Sequence, residues 1–201
     1  MLAERLNGYA KRPDAIVLAL PRGGVPVGFE IAQALHLPLD VFVVRKLGVP
    51  GYEELAMGAI ASGGVRVVNE DLVRELRLPD RAIDVVAAKE EQELRRRERL
   101  YRGDRPLPDL TNTIVILVDD GLATGSSMRA AARALRAHEP ARIVIAVPAA
   151  ARETCEAVAS EVDEIICAMT PEPFYAVGLW YDEFSQTSDE EVRELLARAS
   201  G

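Results

Sequence analysis

Cysteine is scarce in this chain, with only Cys155 and Cys167 in 201 residues. A disulfide framework needs more, and the two are not spaced like zinc ligands. A reducing compartment is the simpler expectation. Histidine is as rare. His36 and His138 are the only two, both fall near the ends of predicted helices, and neither completes a Ser-His-Asp set. Lysine is limited to Lys11, Lys46 and Lys89 against 21 arginines, which singles out Lys46. A basic excess is missing too. The net charge of -8 argues against nucleic acid or an anionic membrane as the main partner, yet leaves room for a local basic pocket that takes a phosphorylated small molecule. No apolar run reaches the ~18 residues of a membrane span. The first residues, MLAERLNGYAKR, carry charge where a signal peptide would be apolar. Together these absences lead us to expect a cytoplasmic protein.

What is present is an ordinary globular balance, 49% apolar and 28% charged. A chain of this length can bury one sizeable core, so residues 1–201 are expected to form a single domain. Short runs rich in Val and Ile recur: Ala15–Leu20, Leu39–Val44, Ile114–Val118, Arg142–Val147 and Glu164–Ala168. They do not alternate, as expected of strands buried on both faces of a parallel sheet. Helical patterns lie between them at Val25–Leu35, Ser126–His138 and Arg152–Ala159. Repeated βα units predict an α/β fold with a doubly wound, mainly parallel sheet.

Residues 47–113 break this rhythm and are expected to form an insertion with a flap and a helical lobe. Gly48–Glu54 is a Gly/Pro-rich loop, suited either to a hinged flap or to an ordinary surface loop. A hairpin is predicted around Ser62-Gly63-Gly64. Asn69 caps a short helix to Leu76, and a long charged helix runs from Asp80 to Tyr101. Its pairs Glu91–Arg95, Glu93–Arg97 and Glu98–Arg102 have i,i+4 spacing. They read as a solvated, salt-bridged face, with pyrophosphate capture or a subunit interface as the other reading. Residues 170–201 form an aromatic tail, then a helix opened by the capping box Ser188-Asp189-Glu190-Glu191.

The segment Val115–Met128, VILVDDGLATGSSM, carries the chemistry. A buried strand ends in Asp119 and Asp120, a small-residue loop follows, and a helix starts at once. The first N–H groups of a helix lack intrahelical partners and favour an anion. Thr124, Ser126 and Ser127 add hydroxyls, and Gly125 lets the backbone come close. Two acids would repel a bare phosphate. They suit ribose hydroxyls, which need acceptors, at the carboxyl end of a strand where such folds bind ligands. Neither a P-loop nor a dinucleotide fingerprint is present.

This run is similar to the phosphoribosyl pyrophosphate (PRPP) motif of the type I phosphoribosyltransferases. The resemblance implies that Asp119 and Asp120 bind the ribose 2- and 3-hydroxyls. Ala123, Thr124, Gly125, Ser126 and Ser127 would then hold the 5-phosphate. Pro21-Arg22-Gly23-Gly24, after the first strand, resembles the family's pyrophosphate loop, with Arg22 as a planar fork for phosphate oxygens and the glycine amides exposed. That loop often holds a non-proline cis peptide, which predicts one at Pro21–Arg22. Sheet order 2-1-3-4-5 would bring the two loops to one crevice. Arg45 and Lys46 end the second strand, either as a solvated strand end or as cations at the pyrophosphate.

The resemblance further implies a mobile flap, a small hood, Mg²⁺ held mainly by substrate oxygens and water, and association as dimers. It implies transfer of phosphoribose from PRPP to a small-molecule acceptor, through a nitrogen of a nucleobase or similar heterocycle. A catalytically silent PRPP- or nucleotide-binding regulator of the same fold would carry the same motif. For the acceptor, Trp180 is the first stacking candidate, then Phe174 and Tyr181. These rings could instead pack the tail onto the domain.

Overall fold

Side-chain alternation along the apolar runs sends successive residues to two separate cores. In the computed structural model, which describes residues 1–199, the elements in chain order are α1 (Leu2–Arg5), β1 (Ala15–Ala19), α2 (Gly24–Leu35), β2 (Leu39–Val41), β3 (Val44–Val49), β4 (Tyr52–Ala61), β5 (Val65–Val68) and α3 (Glu70–Glu75). There follow α4 (Asp80–Arg102), β6 (Ile114–Val118), α5 (Ser126–Arg136), β7 (Arg142–Ala149), α6 (Arg152–Ala159), β8 (Glu164–Met169) and α7 (Asp189–Ala199). Five strands form a parallel sheet in the order β2-β1-β6-β7-β8. Numbered among themselves these are 2-1-3-4-5, the expected doubly wound arrangement.

Every residue of β1 and β6 is buried. Ala15, Val17 and Ala19 join Ile114, Ile116 and Val118 in the core beneath α2, α4 and α7. Ile16 and Leu18 join Val115 and Leu117 in the core beneath α5 and α6. Burial on both faces explains why these strands lack a polar side.

The second strand is shorter than its apolar run suggests. β2 ends at Val41, and β3 already belongs to a three-stranded antiparallel sheet, β3-β4-β5. The chain crosses between the sheets at Phe42 and Val43. Phe42 N–H donates to the Ala19 carbonyl, and Ser62 N–H to the Val43 carbonyl, both at 2.9 Å. Arg45, Lys46 and Leu47–Val49 are therefore strand residues of this second sheet. The turn between β3 and β4 is only Pro50-Gly51, with Gly51 at φ 83°, a turn suited to Pro followed by Gly. The hairpin at Ser62-Gly63-Gly64 and the Asn69 cap (Leu72 N–H to Oδ1, 3.2 Å) form as read from the sequence.

Arg102 departs most from its expected surface setting. The three i,i+4 pairs of α4 form as predicted, but the Arg102 side chain is only 3% exposed. The guanidinium donates to Asp40 Oδ1 (3.1 Å), Glu98 Oε1 (3.2 Å), the Val41 carbonyl (2.8 Å) and Ser62 Oγ (2.9 Å). One cation thus ties α4 to the crossing and to the hairpin. The cysteines also differ from expectation. Cys155 on α6 and Cys167 on β8 are joined in a disulfide; composition counts thiols but does not show that a helix lays one beside a strand. His138 is structural, its Nε2 3.1 Å from the Ser62 carbonyl and its ring edge-on to Phe42.

Removing Arg102 should strand Asp40 in the interior. Arg102→Met is expected to cost about 3–5 kcal/mol, read as a lower urea midpoint; an unchanged midpoint would show that the network contributes little.

Candidate functional site

Parallel pairing of β1 with β6, Ala19 opposite Val118, releases two loops side by side at the carboxyl edge of the sheet. In the first, Leu20 N–H extends the ladder to the Val118 carbonyl at 2.8 Å. The chain then passes through Pro21–Arg22, whose peptide is cis as expected, and enters α2. Gly24 N–H turns back to the Leu20 carbonyl at 3.0 Å. This corrects the expectation that both glycine amides face outward. Gly24 spends its amide inside the turn.

Both glycines are needed for another reason. A Cβ on Gly23 would run into Asp120 Oδ2, and one on Gly24 would lie 2.7 Å from the Val118 carbonyl oxygen and 2.9 Å from Asp119 Cα. The loop after β1 packs directly on the acid pair after β6. Asp120 N–H donates to Asp119 Oδ1 at 2.9 Å. Burial raises the Asp119 carboxyl to about 8, with the charge of Asp120 adding to the shift. Asp120 is also raised by burial. The Tyr181 hydroxyl donates to the Asp120 carbonyl at 2.6 Å. Burial first, then the two carboxylates, hold that phenol in its protonated form.

The second loop lies open at the start of α5. Ala123, Thr124, Ser126 and Ser127 are exposed, while Gly125 is buried at φ 68° as the N-cap of α5. The cap itself has no side chain, and the first N–H of the helix, on Ser126, reaches Thr124 Oγ1 at 3.5 Å. Thr124 Oγ1 and Ser126 Oγ lie 3.2 Å apart. The loop is held from behind by α6: Thr154 Oγ1 donates to the Ala123 carbonyl at 2.6 Å, and Thr154 Cγ2 would lie 2.8 Å from a Cβ on Gly125. No local pattern marks Thr154, so sequence reasoning missed it.

Arg22, Gly23, Asp120 and Tyr181 share a cleft of about 600 Å³. Arg22 leans to Asp189, the first residue of α7, at 4.0 Å. Tyr101 donates to the same carboxylate oxygen at 2.6 Å, and burial pushes its phenol up to about 12. Arg45 and Lys46 are elsewhere. They line a separate hollow of about 310 Å³ between the β3–β4 hairpin and α4, where Arg45 pairs with Glu90 at 2.6 Å. Of the three aromatic candidates, Tyr181 lines the cleft. Trp180 ends a short 3₁₀ turn, 39% exposed, and neither it nor Phe174 is among the cleft walls. Among the described residues no group of three or more acids, histidines or cysteines could cage a metal. No helix among them is long and apolar enough to cross a membrane.

Residues 1–175 match the phosphoribosyl transferase domain, and the chain belongs to that family. Two Mycobacterium tuberculosis proteins, from strains CDC 1551 and H37Rv, are each 48% identical over 198 residues; their names carry a provisional assignment as phosphoribosyl transferases. The alignment takes in 98% of this chain but 44% of theirs, so the chain spans less than half the length of these relatives. The crystal structure of TT1426 from Thermus thermophilus superposes with a TM-score of 0.90 at 38% identity, covering 100% of this chain and 94% of that one.

Two outcomes are expected of the ligand-free protein. Folded Asp119 keeps its proton between about 4 and about 8, whereas in the unfolded chain it is ionised across that window. The unfolded state then binds fewer protons, so this group's contribution to stability falls as pH rises from 4 to 8 and levels off above. Asp119→Asn should flatten that part of the profile in denaturation midpoints taken at pH 5 and pH 8; parallel profiles would reject the raised carboxyl. Thr154→Val should release the loop, read as faster hydrogen exchange at residues 123–127 with no change along β6.

Proposed function

We propose that this protein transfers phosphoribose from PRPP to a nitrogen of a nucleobase-like heterocycle and releases pyrophosphate. The observation that supports the reading is the contact between Gly23–Gly24 and Asp119–Asp120, with Arg22, Gly23 and Asp120 sharing one cleft. In this reading Asp119 and Asp120 accept hydrogen bonds from the ribose 2- and 3-hydroxyls. The backbone of Ala123–Ser127, with the Thr124, Ser126 and Ser127 hydroxyls, receives the 5-phosphate at the start of α5. The Gly23 amide and Arg22 meet the diphosphate. Arg45 and Lys46 would join them after Arg45 leaves Glu90 and the hairpin closes over the ligand.

The acceptor's ring nitrogen forms a bond to C1 as the bond from C1 to the diphosphate oxygen breaks. The electron pair leaves with pyrophosphate, and the nitrogen's proton passes to solvent. Positive charge develops on the ribose in between, and the Asp119–Asp120 pair favours it electrostatically. Positioning supplies much of the remaining acceleration.

Oxygen donors of this kind suit Mg²⁺, which would be held by diphosphate oxygens and water near Asp119 and Asp120, where it would neutralise the leaving group. The reading places the protein in the cytoplasm, because so highly charged a sugar does not cross membranes unaided. Pairing of two copies is part of the same reading, checked by light scattering.

The test is pyrophosphate release from PRPP with a panel of heterocycles. Tight PRPP binding without turnover on any of them would instead support a regulatory PRPP-binding protein. Asp119→Asn with Asp120→Asn should lower PRPP affinity at least about 10-fold, the scale of one lost charge-assisted hydrogen bond at a pair that carries a single charge at neutral pH, with an unchanged circular dichroism spectrum. Unaltered affinity would remove the ribose assignment.

A further inference from the structure

The cleft that holds Arg22 and Asp120 is closed on its far side by the segment between Tyr181 and α7. Phe184, 51% exposed, and Tyr181 form a tilted ring pair with centroids 5.1 Å apart, and both line the cleft together with Pro26 and Val27 of α2. Aromatic and apolar surface of this kind suits a flat ring. Its polar wall is biased. Glu183 and Glu191 both line it, and neither has a cation within 4 Å among the described residues. Asp120 adds a third carboxylate. The Gln186 amide and the hydroxyls of Ser185 and Thr187 can donate or accept. The one cation on the wall, Arg22, leans to Asp189, which is not one of the lining residues.

We infer that the acceptor is an amino-bearing nitrogen heterocycle, a ring that presents N–H donors toward Glu183 and Glu191, and that rings carrying a carboxylate are turned away. The inference rests on the transfer reading for the identity of the cleft. It goes further in naming the acceptor's chemical class. The two N–H donors of an amino group can serve both carboxylates, and the ring's own acceptor nitrogens can be met by Gln186 or Thr187. A ring edged mainly with carbonyls, such as uracil with its one N3–H set between two of them, offers fewer donors and brings carbonyl lone pairs up to the carboxylates. A carboxylated ring would bring like charge to the same wall. Discrimination of this kind comes from the mismatch with the wrong ligand as much as from the match with the right one. The exposure of Glu183 and Glu191 tempers each contact, so the preference is set by the wall as a whole.

The experiment titrates PRPP-loaded protein with adenine, cytosine, uracil and nicotinate by calorimetry and follows pyrophosphate release with each. Adenine or cytosine should bind at least about 10-fold more tightly than uracil, the size of one good hydrogen bond to a charged group, and nicotinate should not bind measurably. Glu183→Gln with Glu191→Gln should weaken the amino-bearing ring about 10-fold and narrow its margin over uracil, with PRPP affinity unchanged. Equal or tighter binding of uracil or nicotinate overturns the inference, as does a preference that survives the double substitution. The two readings fail separately. Amino-selective binding without pyrophosphate release keeps this inference and removes the transfer reading, whereas pyrophosphate release driven best by uracil or nicotinate does the reverse.

Discussion

The site depends on one steric constraint: two glycines after β1 must lie flat against two carboxylates after β6. Neighbouring parallel strands deliver both loops at the same height, and the ladder continues one step past β1 through Leu20. That last hydrogen bond brings Gly24 to van der Waals distance from the Val118 carbonyl and Asp119. Any side chain at either glycine would separate the loops. The same crowding takes part of the water from the acids, which are half-buried, and burial heads the causes of both raised carboxyls. Close packing and unusual acidity are thus two results of one contact.

Around this contact, support arrives from distant parts of the chain. Tyr181 holds the Asp120 carbonyl, Thr154 holds the Ala123 carbonyl, and Asp189 receives both Tyr101 and Arg22. Each link is a side chain from one element bonded to a loop or helix end of another. The loops themselves remain open, with Ala123, Thr124, Ser126 and Ser127 at the surface. A binding edge that is exposed in front and braced behind can be preorganised without being closed.

Local chemistry is readable from the sequence and tertiary chemistry is not. β1, β6 and the start of α5 are legible because unbroken Val/Ile runs and a Thr-Gly-Ser-Ser stop have few alternative conformations. The Asn69 and Ser188 caps are legible for the same reason, and both form. The end of β2 is not, because Leu39–Val44 is apolar throughout while only the crossing at Phe42 and Val43 divides it between two sheets. Arg102 looks like the other arginines of its helix; its burial follows from Asp40 and Ser62, which are 62 and 40 residues away in sequence. A glycine pair signals exposed amides, yet the turn consumes the Gly24 donor. Trp180 draws attention for its rarity, whereas Tyr181, one residue on, has its hydroxyl on the acid loop.

The Arg102 network has a bearing on how such a chain can change over generations. It grips Asp40 and Val41, where the main sheet hands the chain to the second one, and it lies at the last turn of α4, just before the chain heads back. The two ends of the excursion are thereby pinned together at its base. Between those ends β3, β4 and α4 also pack into the main core through Leu47, Met57, Ile60, Ile83, Ala87 and Leu94, so the excursion can change length at its exposed turns while the parallel sheet keeps its register. Variation among relatives should therefore gather at the Pro50-Gly51 and Gly63-Gly64 turns, while the clasp and the crevice at the head of β1 and β6 drift slowly.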